Sequence, residues 1–248
     1  SSALLLKFFK MVGGELISYI PDRLREGYGP NIKALRKLKA DGINLIITVD
    51  CGTLSFEPLK QAKEEGLEVI VVDHHKAEPS LPDSYAIINP NRLDEDGSLG
   101  QLAAVGVSFL LVVAINRVLR EEGQFKFFKN NPDLMSLLDL VALGTICDVV
   151  PLQGLNRAFA RQGFKVMAAR QNTGLRVLSD FVRIEEAPNA YHAGFILGPR
   201  INAGGRVGES SMGTELLSTD NEEIALALSE DLDQYNTERK DIENFVQE

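Results

Sequence analysis

The chain has 248 residues, of which 44% are apolar and 25% charged, and its formal net charge is −9 at pH 7. This apolar content excludes a disordered chain, and no apolar run approaches the roughly 20 residues that a membrane-spanning helix needs. The two cysteines, Cys51 and Cys147, lie far apart in sequence, which excludes a disulfide scaffold and suits a reducing cytosol. Taken by itself, the negative charge argues against a nucleic-acid partner.

The first part of the chain alternates between helical and strand patterns. The predicted elements are a helix at residues 4–11, a strand at 15–20, a helix at 31–40, a strand at 43–49, a helix at 55–65 with Ser55 as N-cap, and strands at 69–72 and 85–88. The run at 43–49 is continuously apolar and rich in β-branched residues, which is typical of a strand covered on both faces. This βαβαβ order predicts a parallel sheet with right-handed crossovers.

After residue 99 the pattern becomes helical. Helices are predicted at residues 102–122, 134–143, 155–169, 175–181 and 221–246. In the polar segment between the first two, Phe125, Phe127 and Phe128 alternate with lysines and either stack on bases or anchor a loop. The predicted fold class is α/β: a parallel Rossmann-like sheet flanked by helices, a mostly helical part, and a long C-terminal helix.

Charged side chains follow two neighbouring strands of the predicted sheet. Asp50 comes directly after the strand at 43–49, and Asp73, His74 and His75 come directly after the strand at 69–72. In open parallel sheets, ligands bind beyond the carboxyl ends of the strands. We therefore expect these four side chains to lie at one edge of the sheet.

A third acid, Asp148, follows an apolar helical pattern. An acid between apolar neighbours needs a partner if it is buried. Together with the strand-end groups it forms a mixed oxygen and nitrogen set that suits Mn²⁺, Mg²⁺ or Zn²⁺. Alternatives exist for each residue alone: Asp50 caps a helix or forms a turn, the histidines belong to a solvated loop, and Asp148 caps a helix that begins near Pro151.

Several motifs together resemble one protein family. The Asp-His-His motif at residues 73–75, preceded by Val-Asp-Cys-Gly at 49–52 and followed by the Gly-Thr-Ile-Cys-Asp-Val-Val-Pro-Leu motif at 144–152, resembles the DHH phosphoesterase superfamily. Within it, the motif Gly-Pro-Arg-Ile-Asn-Ala-Gly-Gly-Arg at 198–206 resembles the signature of the RecJ single-stranded-DNA exonucleases. Residues 20–29 are similar to an early segment of that family.

The resemblance implies a role for each strand-end residue. Asp50 corresponds to the carboxylate that bridges two metal ions, while His74 and Asp148 correspond to ligands of one ion. His75 would face the scissile phosphate, and Asp73 would orient the site without binding metal. The implied cofactor is Mn²⁺ or Mg²⁺, as a two-metal site in the intact protein.

A second group of residues is predicted to bind substrate phosphate. Arg200, Asn202 and Arg206 combine two guanidiniums with an amide among flexible glycines, and arginine offers paired donors to phosphate. The alternative is a structural loop in which Arg200 caps the C-terminus of a helix. The third histidine, His192, is interpreted as a structural or surface residue.

The function that the resemblance implies is metal-dependent 5′ to 3′ exonucleolytic hydrolysis of single-stranded DNA in repair and recombination. The implied partners are single-stranded DNA and other DNA-repair proteins, with no membrane, and the implied location is the cytoplasm. One alternative is another DHH phosphoesterase that acts on short oligonucleotides, cyclic dinucleotides or pyrophosphate. The other is a non-catalytic DHH-like binding module.

Two features of the family are missing from the sequence. RecJ-like proteins carry an Asp-x-Asp-x-Asp-Gly motif immediately before the helix that corresponds to residues 4–11, and a second domain with a Gly-Gly-Gly-His motif; neither motif occurs here. We therefore expect a fragment that comprises an N-terminally truncated catalytic domain at 1–219 and the start of an interdomain connector helix at 220–248. Such a fragment is expected to bind one metal ion weakly and to be inactive or weakly active.

This domain division changes the meaning of the net charge. Residues 207–248 carry 12 acidic and 2 basic side chains, whereas residues 157–206 carry 8 basic and 3 acidic ones. The acidity is therefore concentrated in the predicted connector, and bound metal ions would add positive charge to the catalytic body. The net charge of −9 does not exclude a nucleic-acid substrate.

Overall fold

The computed structural model describes residues 1–124 and 131–247, so the prediction for Phe125, Phe127 and Phe128 lies outside the described part of the chain. The helices are α1 (Ser2–Met11), α2 (Arg23–Glu26), α3 (Ile32–Ala40), α4 (Phe56–Glu64), α5 (Ala104–Glu121), α6 (Leu138–Cys147), α7 (Gly154–Ala168), α8 (Thr173–Phe181), α9 (Gly198–Val207), α10 (Met212–Ser218) and α11 (Glu222–Gln247). A 3₁₀ turn, Leu134–Leu137, precedes α6, and a π-helical stretch, His192–Leu197, precedes α9. No helix among these residues is long and apolar enough to cross a lipid bilayer.

The sheet has three parallel strands, β1 (Leu45–Val49), β2 (Glu68–Val72) and β3 (Ala86–Ile88), in the order β1-β2-β3. This confirms the predicted α/β class with its parallel sheet and its helical second part. The strand predicted at residues 15–20 is wrong, because that segment pairs with no strand of the described sheet. Its apolar side chains do not form a buried face: Ile17 is 73% exposed.

Apolar side chains cover the middle strand of the sheet on both faces. Val69 and Val71 point to a small core that they share with Leu35 of α3 and Leu59 of α4. Val72 belongs to the main core on the other side, formed largely by helices of the second part of the chain. Burial on both faces explains why the strand is apolar throughout rather than alternating.

Helix α6 lies at the centre of the helical part and is almost entirely apolar. Its residues from Leu138 to Leu143 are all buried. Helix α7 approaches it closely because Gly163 has no side chain: a Cβ atom there would lie 2.1 Å from the carbonyl oxygen of Leu138. The helix predicted at 134–143 instead continues to Cys147, and this places Asp148 at its C-terminal end.

The prediction of flexible glycines at 198–206 is wrong, and so is the alternative of a structural loop, because these residues lie in helix α9. Gly198 packs so closely on α6 that a Cβ atom would lie 2.5 Å from the Cys147 sulfur, and a Cβ at Gly204 would lie 2.9 Å from the carbonyl oxygen of Glu209. These glycines therefore allow close packing of helices. Helix α11 packs against α8 and α9 through buried Ala225, Leu228 and Leu232. The domain boundary at residue 219 stays a prediction.

Candidate metal centre

Parallel pairing brings the two predicted strand-end groups together. The Asp50 N–H donates to the Val72 carbonyl oxygen at 2.9 Å, and the Asp73 N–H donates to the Ile88 carbonyl oxygen at 3.0 Å, so the ladder continues one residue beyond each strand. Asp50 has φ 63°, a left-handed conformation that aspartate tolerates better than most residues. The chain therefore turns sharply where its first candidate ligand lies.

His74 points its Nε2 atom between two carboxylates. Its Nδ1 lies 3.0 Å from the carbonyl oxygen of Leu102, which can only accept a hydrogen bond, so Nδ1 carries the proton and neutral Nε2 has a lone pair. Nε2 lies 3.2 Å from Asp50 Oδ1 and 3.4 Å from Asp148 Oδ2. It is buried and makes no well-formed hydrogen bond within the described residues. A lone pair facing two carboxylates is repelled unless a cation lies between them, so this arrangement fits a metal ion.

The metal-free protein partly relieves this repulsion by holding protons. The Asp50 carboxylate raises the pKa of His74, burial opposes that change, and Asp148 reinforces it. Burial likewise raises the pKa of the Asp148 carboxyl group, with His74 opposing. Both shifts mean that the folded site retains protons that a metal ion would displace.

Asp148 occupies the C-cap position of α6. Its N–H donates to the Gly144 carbonyl oxygen at 3.0 Å, and the next residue, Val149, has φ 57° and is 87% exposed. A β-branched residue in the left-handed region is strained, and such strain occurs at functional sites. The alternative that Asp148 caps the following helix is wrong, because α7 begins at Gly154 with Gln153 as its N-cap.

Asp73 is buried and accepts hydrogen bonds on both carboxylate oxygens. Oδ1 lies 2.7 Å from His75 Nδ1 and 2.8 Å from the His74 backbone nitrogen, while Oδ2 accepts from the Thr53 N–H at 3.0 Å. Burial alone would raise the pKa of Asp73, but these hydrogen bonds outweigh it and lower the pKa. The carboxylate therefore stays charged and orients the half-exposed imidazole of His75.

Two asparagines that sequence reasoning missed hold the backbone of the histidine pair. The Asn89 side-chain amide donates to the His75 carbonyl oxygen at 2.8 Å, and that of Asn91 donates to the His74 carbonyl oxygen at 2.6 Å. Both follow β3, the third strand at the same sheet edge. The strand-end rule that selected Asp50 would have selected Asn89 as well.

The structure thus brings the candidate ligands into one cluster. Ligand atoms of Asp50, His74 and His75 lie within 4.8 Å of one another, and Asp148 Oδ2 lies 3.4 Å from His74 Nε2. This geometry also allows His75 to bind metal. The separate roles that were assigned to His75 and Asp73 therefore stay predictions.

The predicted phosphate-binding residues divide into two groups. Arg200 donates from Nε to Asp233 Oδ1 at 2.7 Å and from Nη1 to the Ile196 carbonyl oxygen at 2.8 Å, so most of its guanidinium is engaged within the fold. Asn202 and Arg206 instead line a cavity of about 170 Å³. Its lining residues are Cys147, Gly194, Gly198, Pro199, Asn202, Arg206 and Arg239.

The cavity is linked to the metal centre through its lining residue Cys147, which directly precedes Asp148 in the chain. This position suits phosphate binding by Asn202 and Arg206, and the phosphate role of all three residues, Arg200 included, stays a prediction. His192 is buried, accepts a hydrogen bond from the Asn189 N–H at 3.3 Å and approaches Glu186. These contacts agree with the structural interpretation of His192.

Comparison with known proteins shows what this sequence and this fold are similar to. Residues 1–145 match the sequence profile of the DHH family, N-terminal domain. The single-stranded-DNA-specific exonuclease RecJ of Salmonella typhimurium (strain LT2) is 42% identical over the whole chain, which covers 44% of that protein. The chain therefore spans less than half the length of this relative.

Two solved structures have the same fold. A crystal structure of exonuclease RecJ bound to manganese is 33% identical with a TM-score of 0.86, covering 99% of this chain and 60% of the other. A crystal structure of RecJ from Thermus thermophilus in complex with Mn²⁺ is 30% identical with a TM-score of 0.83, covering 99% of this chain and 34% of the other.

Proposed function

The chain belongs to the DHH family, and on this premise we propose that it forms the metal-binding part of an enzyme that hydrolyses phosphodiester bonds of single-stranded DNA, from the 5′ end. The observation that carries the proposal is the buried Nε2 lone pair of His74, which faces the carboxylates of Asp50 and Asp148. The 42% identical RecJ exonuclease supports the choice of substrate.

The proposed cofactor is Mn²⁺ or Mg²⁺, held by Asp50, His74 and Asp148. Oxygen-rich sites with one imidazole suit Mn²⁺, and related RecJ structures contain Mn²⁺. When bound, such an ion would lower the pKa of a water molecule and stabilise the charge that develops on the phosphate. Asp50 is the proposed bridge to a second ion in the intact protein.

The protein's own residues orient the imidazole rings of His74 and His75. Asp73 fixes His75 through Nδ1, which leaves Nε2 of this half-exposed ring for the scissile phosphate. Leu102 fixes the orientation of His74 in the same way from the other side. Thr53 and the two asparagines Asn89 and Asn91 hold these groups in place.

The proposed substrate contacts lie beside this centre. Arg206 and Asn202 face a cavity of about 170 Å³ that is next to Cys147, so a strand whose scissile phosphate reaches Asp148 would pass it. The proposal includes other DNA-repair proteins as partners and a cytoplasmic location. It also includes slow turnover by these 248 residues alone, because the sequence lacks the aspartate motif expected to hold a second ion.

The test combines hydrolysis with metal binding. Oligonucleotides labelled at the 5′ or the 3′ end are incubated with the protein and Mn²⁺, and a parallel titration measures bound Mn²⁺ by electron paramagnetic resonance. We expect release of 5′ mononucleotides from single strands and no attack on duplex DNA. Asp50→Asn should abolish hydrolysis and weaken Mn²⁺ binding at least about tenfold.

Asp41→Asn is a matched control, because Asp41 is exposed and precedes β1 at the opposite edge of the sheet. It should leave both measurements unchanged. Hydrolysis that Asp50→Asn does not affect, or failure to bind Mn²⁺, contradicts the proposal. Hydrolysis confined to cyclic dinucleotides or pyrophosphate would contradict the choice of substrate and retain the metal centre.

A further inference from the structure

Two exposed aromatic rings lie stacked on each other where the π-helical stretch begins: Tyr191 directly precedes this stretch and Phe195 lies within it. The ring centroids of Tyr191 and Phe195 are 5.4 Å apart with an interplanar angle of 27°, and the residues are 62% and 73% exposed. Exposed apolar rings that are fixed next to each other are a common feature of binding surfaces. A π-helical turn is itself rare and occurs mostly at functional sites.

This stretch crosses the end of α6 that carries Asp148. Gly194, adjacent to Phe195, lies so close to α6 that a Cβ atom there would be 3.2 Å from Ile146 Cγ2. The Cys147 sulfur lies 3.6 Å from the carbonyl oxygen of Ala193. The aromatic pair is therefore on an element packed directly against the residues that precede a metal ligand.

A positively charged cavity borders the same stretch. Gly194 contributes to its wall together with Arg206 and with Arg239 of α11. Arg239 bonds to Glu243 and Asn236, yet its Nε is buried without a hydrogen-bond partner within the described residues. Arg206 and Arg239 thus place two guanidinium groups in the wall of the cavity, and guanidinium groups are suited to bind an anion.

Arg200 holds the aromatic stretch in place. Its guanidinium bonds to the Ile196 carbonyl oxygen and to Asp233 of α11, so it links the residue next to Phe195 to a long helix. A platform held in this way loses little conformational entropy when it binds a ligand. The positioning by Arg200 also explains why its guanidinium is turned away from solvent.

From these contacts we propose that Tyr191 and Phe195 form a stacking platform for an unpaired base of single-stranded DNA, and that a phosphate of the same strand enters the neighbouring cavity. A flat ring beside a cationic cavity matches the two parts of a nucleotide, and base–aromatic stacking tolerates any sequence. Both faces of an internal base in a duplex are already covered, so the platform selects single strands. This inference rests on the proposed function and adds a specificity determinant to it.

The experiment separates base stacking from phosphate binding. Fluorescence anisotropy measures binding of two labelled strands of equal length, one of thymidines and one of abasic deoxyribose phosphates, in EDTA so that no hydrolysis occurs. We expect Phe195→Ala to weaken binding of the thymidine strand by about 5- to 100-fold and to leave the abasic strand within about twofold. Phe195→Tyr should restore binding.

Tyr85→Ala is the matched control, because Tyr85 is 68% exposed and its N–H bonds to the Val69 carbonyl oxygen near the opposite end of the strands. It should change neither affinity. Circular dichroism checks that each variant is folded, and Tyr191→Ala repeats the test at the second ring. If the alanine variants bind both strands equally more weakly, or bind both as tightly as the wild type does, the stacking platform is overturned.

Failure of the platform can be distinguished from failure of the proposed function. If Phe195→Ala and the wild type bind the thymidine strand equally and both hydrolyse it with Mn²⁺, only the platform is overturned. If the wild type binds neither strand and hydrolyses neither, both the choice of DNA as substrate and the stacking platform are refuted.

Discussion

Asp73 Oδ1 and His75 Nδ1 are joined by a hydrogen bond of 2.7 Å, although the two side chains differ greatly in solvent exposure. The aspartate is 1% exposed, whereas about half of the imidazole surface is accessible. Because the Asp73 carboxylate can only accept a hydrogen bond, Nδ1 of His75 carries a proton, and Nε2 is left for the proposed contact with substrate. Residues 73–75 thus combine a buried carboxylate that orients a ring with the half-exposed imidazole that it orients.

The first prediction concerns this pair. Asp73→Asn replaces one oxygen by an amide that cannot accept both the His75 and the Thr53 hydrogen bonds. We expect the rate of hydrolysis to fall about 10- to 100-fold, mainly in kcat, because His75 loses its fixed orientation. A pH–rate profile of both proteins tests this, and an unchanged profile would refute the positioning role. Asp83→Asn, an exposed acid paired with Lys63, serves as the control.

The second prediction concerns pH and metal removal. The pKa of His74 is raised in the folded protein, so its contribution to stability is fully present below the ordinary value of 6.5 and is lost as pH rises through the raised value. In EDTA, we expect the Tm of the wild type to decrease relative to that of His74→Gln as pH increases over this range. Mn²⁺ should restore wild-type stability at high pH, since the ion replaces the displaced proton.

Calorimetric titration provides a second measurement of the same effect. Mn²⁺ binding near neutral pH should release protons, detected as a dependence of the binding enthalpy on the ionisation enthalpy of the buffer. His74→Gln should reduce this release. If Mn²⁺ binding by the wild type released no protons, this would contradict the assignment of His74 as a metal ligand.

The third prediction concerns Asp139, an acid of α6 that is buried outside the metal centre. Burial raises its pKa to about 6, while its hydrogen bond with the Leu140 N–H and the charge of Lys7 oppose the change. The folded state therefore binds the proton more tightly than the unfolded state, and stability is lost as pH rises from about 4 through 6.

Asp139→Asn should remove this loss, since the amide oxygen can still accept from Leu140. At pH 8 we expect the free energy of unfolding to increase by up to about 3 kcal/mol, the equivalent of the pKa shift, with little change at pH 4. Urea unfolding at both pH values measures it. An equal effect at both pH values would show that burial of the charge is not the cause.

The fourth prediction compares two helical glycines. At Gly163 of α7, a Cβ atom would lie 2.1 Å from the Leu138 carbonyl oxygen, whereas at Gly205 of α9 it would meet nothing within 4 Å. Gly163→Ala should lower the free energy of unfolding by at least about 2 kcal/mol, because α6 and α7 must separate. Gly205→Ala should raise it by roughly 0.5–1 kcal/mol through helix propensity. Urea unfolding measures both.

The same pair tests how the metal centre depends on packing. Gly163→Ala should also weaken Mn²⁺ binding, since Asp148 is the C-cap residue of α6. Loss of stability with unchanged Mn²⁺ affinity would show that the position of Asp148 does not depend on the contact between α6 and α7.

Short-range pattern and one topological rule were enough to predict the sheet edge of the site. The apolar runs before Asp50 and Asp73 indicated buried parallel strands, and parallel strands place their carboxyl ends together. The strand prediction failed where a strand-like sequence had no neighbouring strand to pair with. Residues 15–20 have strand-like composition, but backbone pairing needs a second strand, and none in the described sheet is available.

The glycine-rich motif was misinterpreted for a related reason. Gly198 and Gly204 have low helix propensity, so the sequence indicated flexible glycines, yet both lie in α9. Their lack of a side chain is what allows α9 to approach Cys147 and the backbone at Glu209, and this packing outweighs intrinsic propensity. Sequence patterns contain no information about such distant surfaces.

The sequence by itself determined the residue types of the metal centre, the parallel sheet that presents Asp50 and His74, and the DHH motif. Only the tertiary structure decided that Asp148, 74 residues after His74, lies 3.4 Å from His74 Nε2, and that the Leu102 carbonyl selects the His74 tautomer. It also decided that Arg200 faces Asp233 rather than solvent. The physical reason is that residue chemistry and strand alternation are local properties, whereas the direction of a side chain depends on which distant groups pack around it.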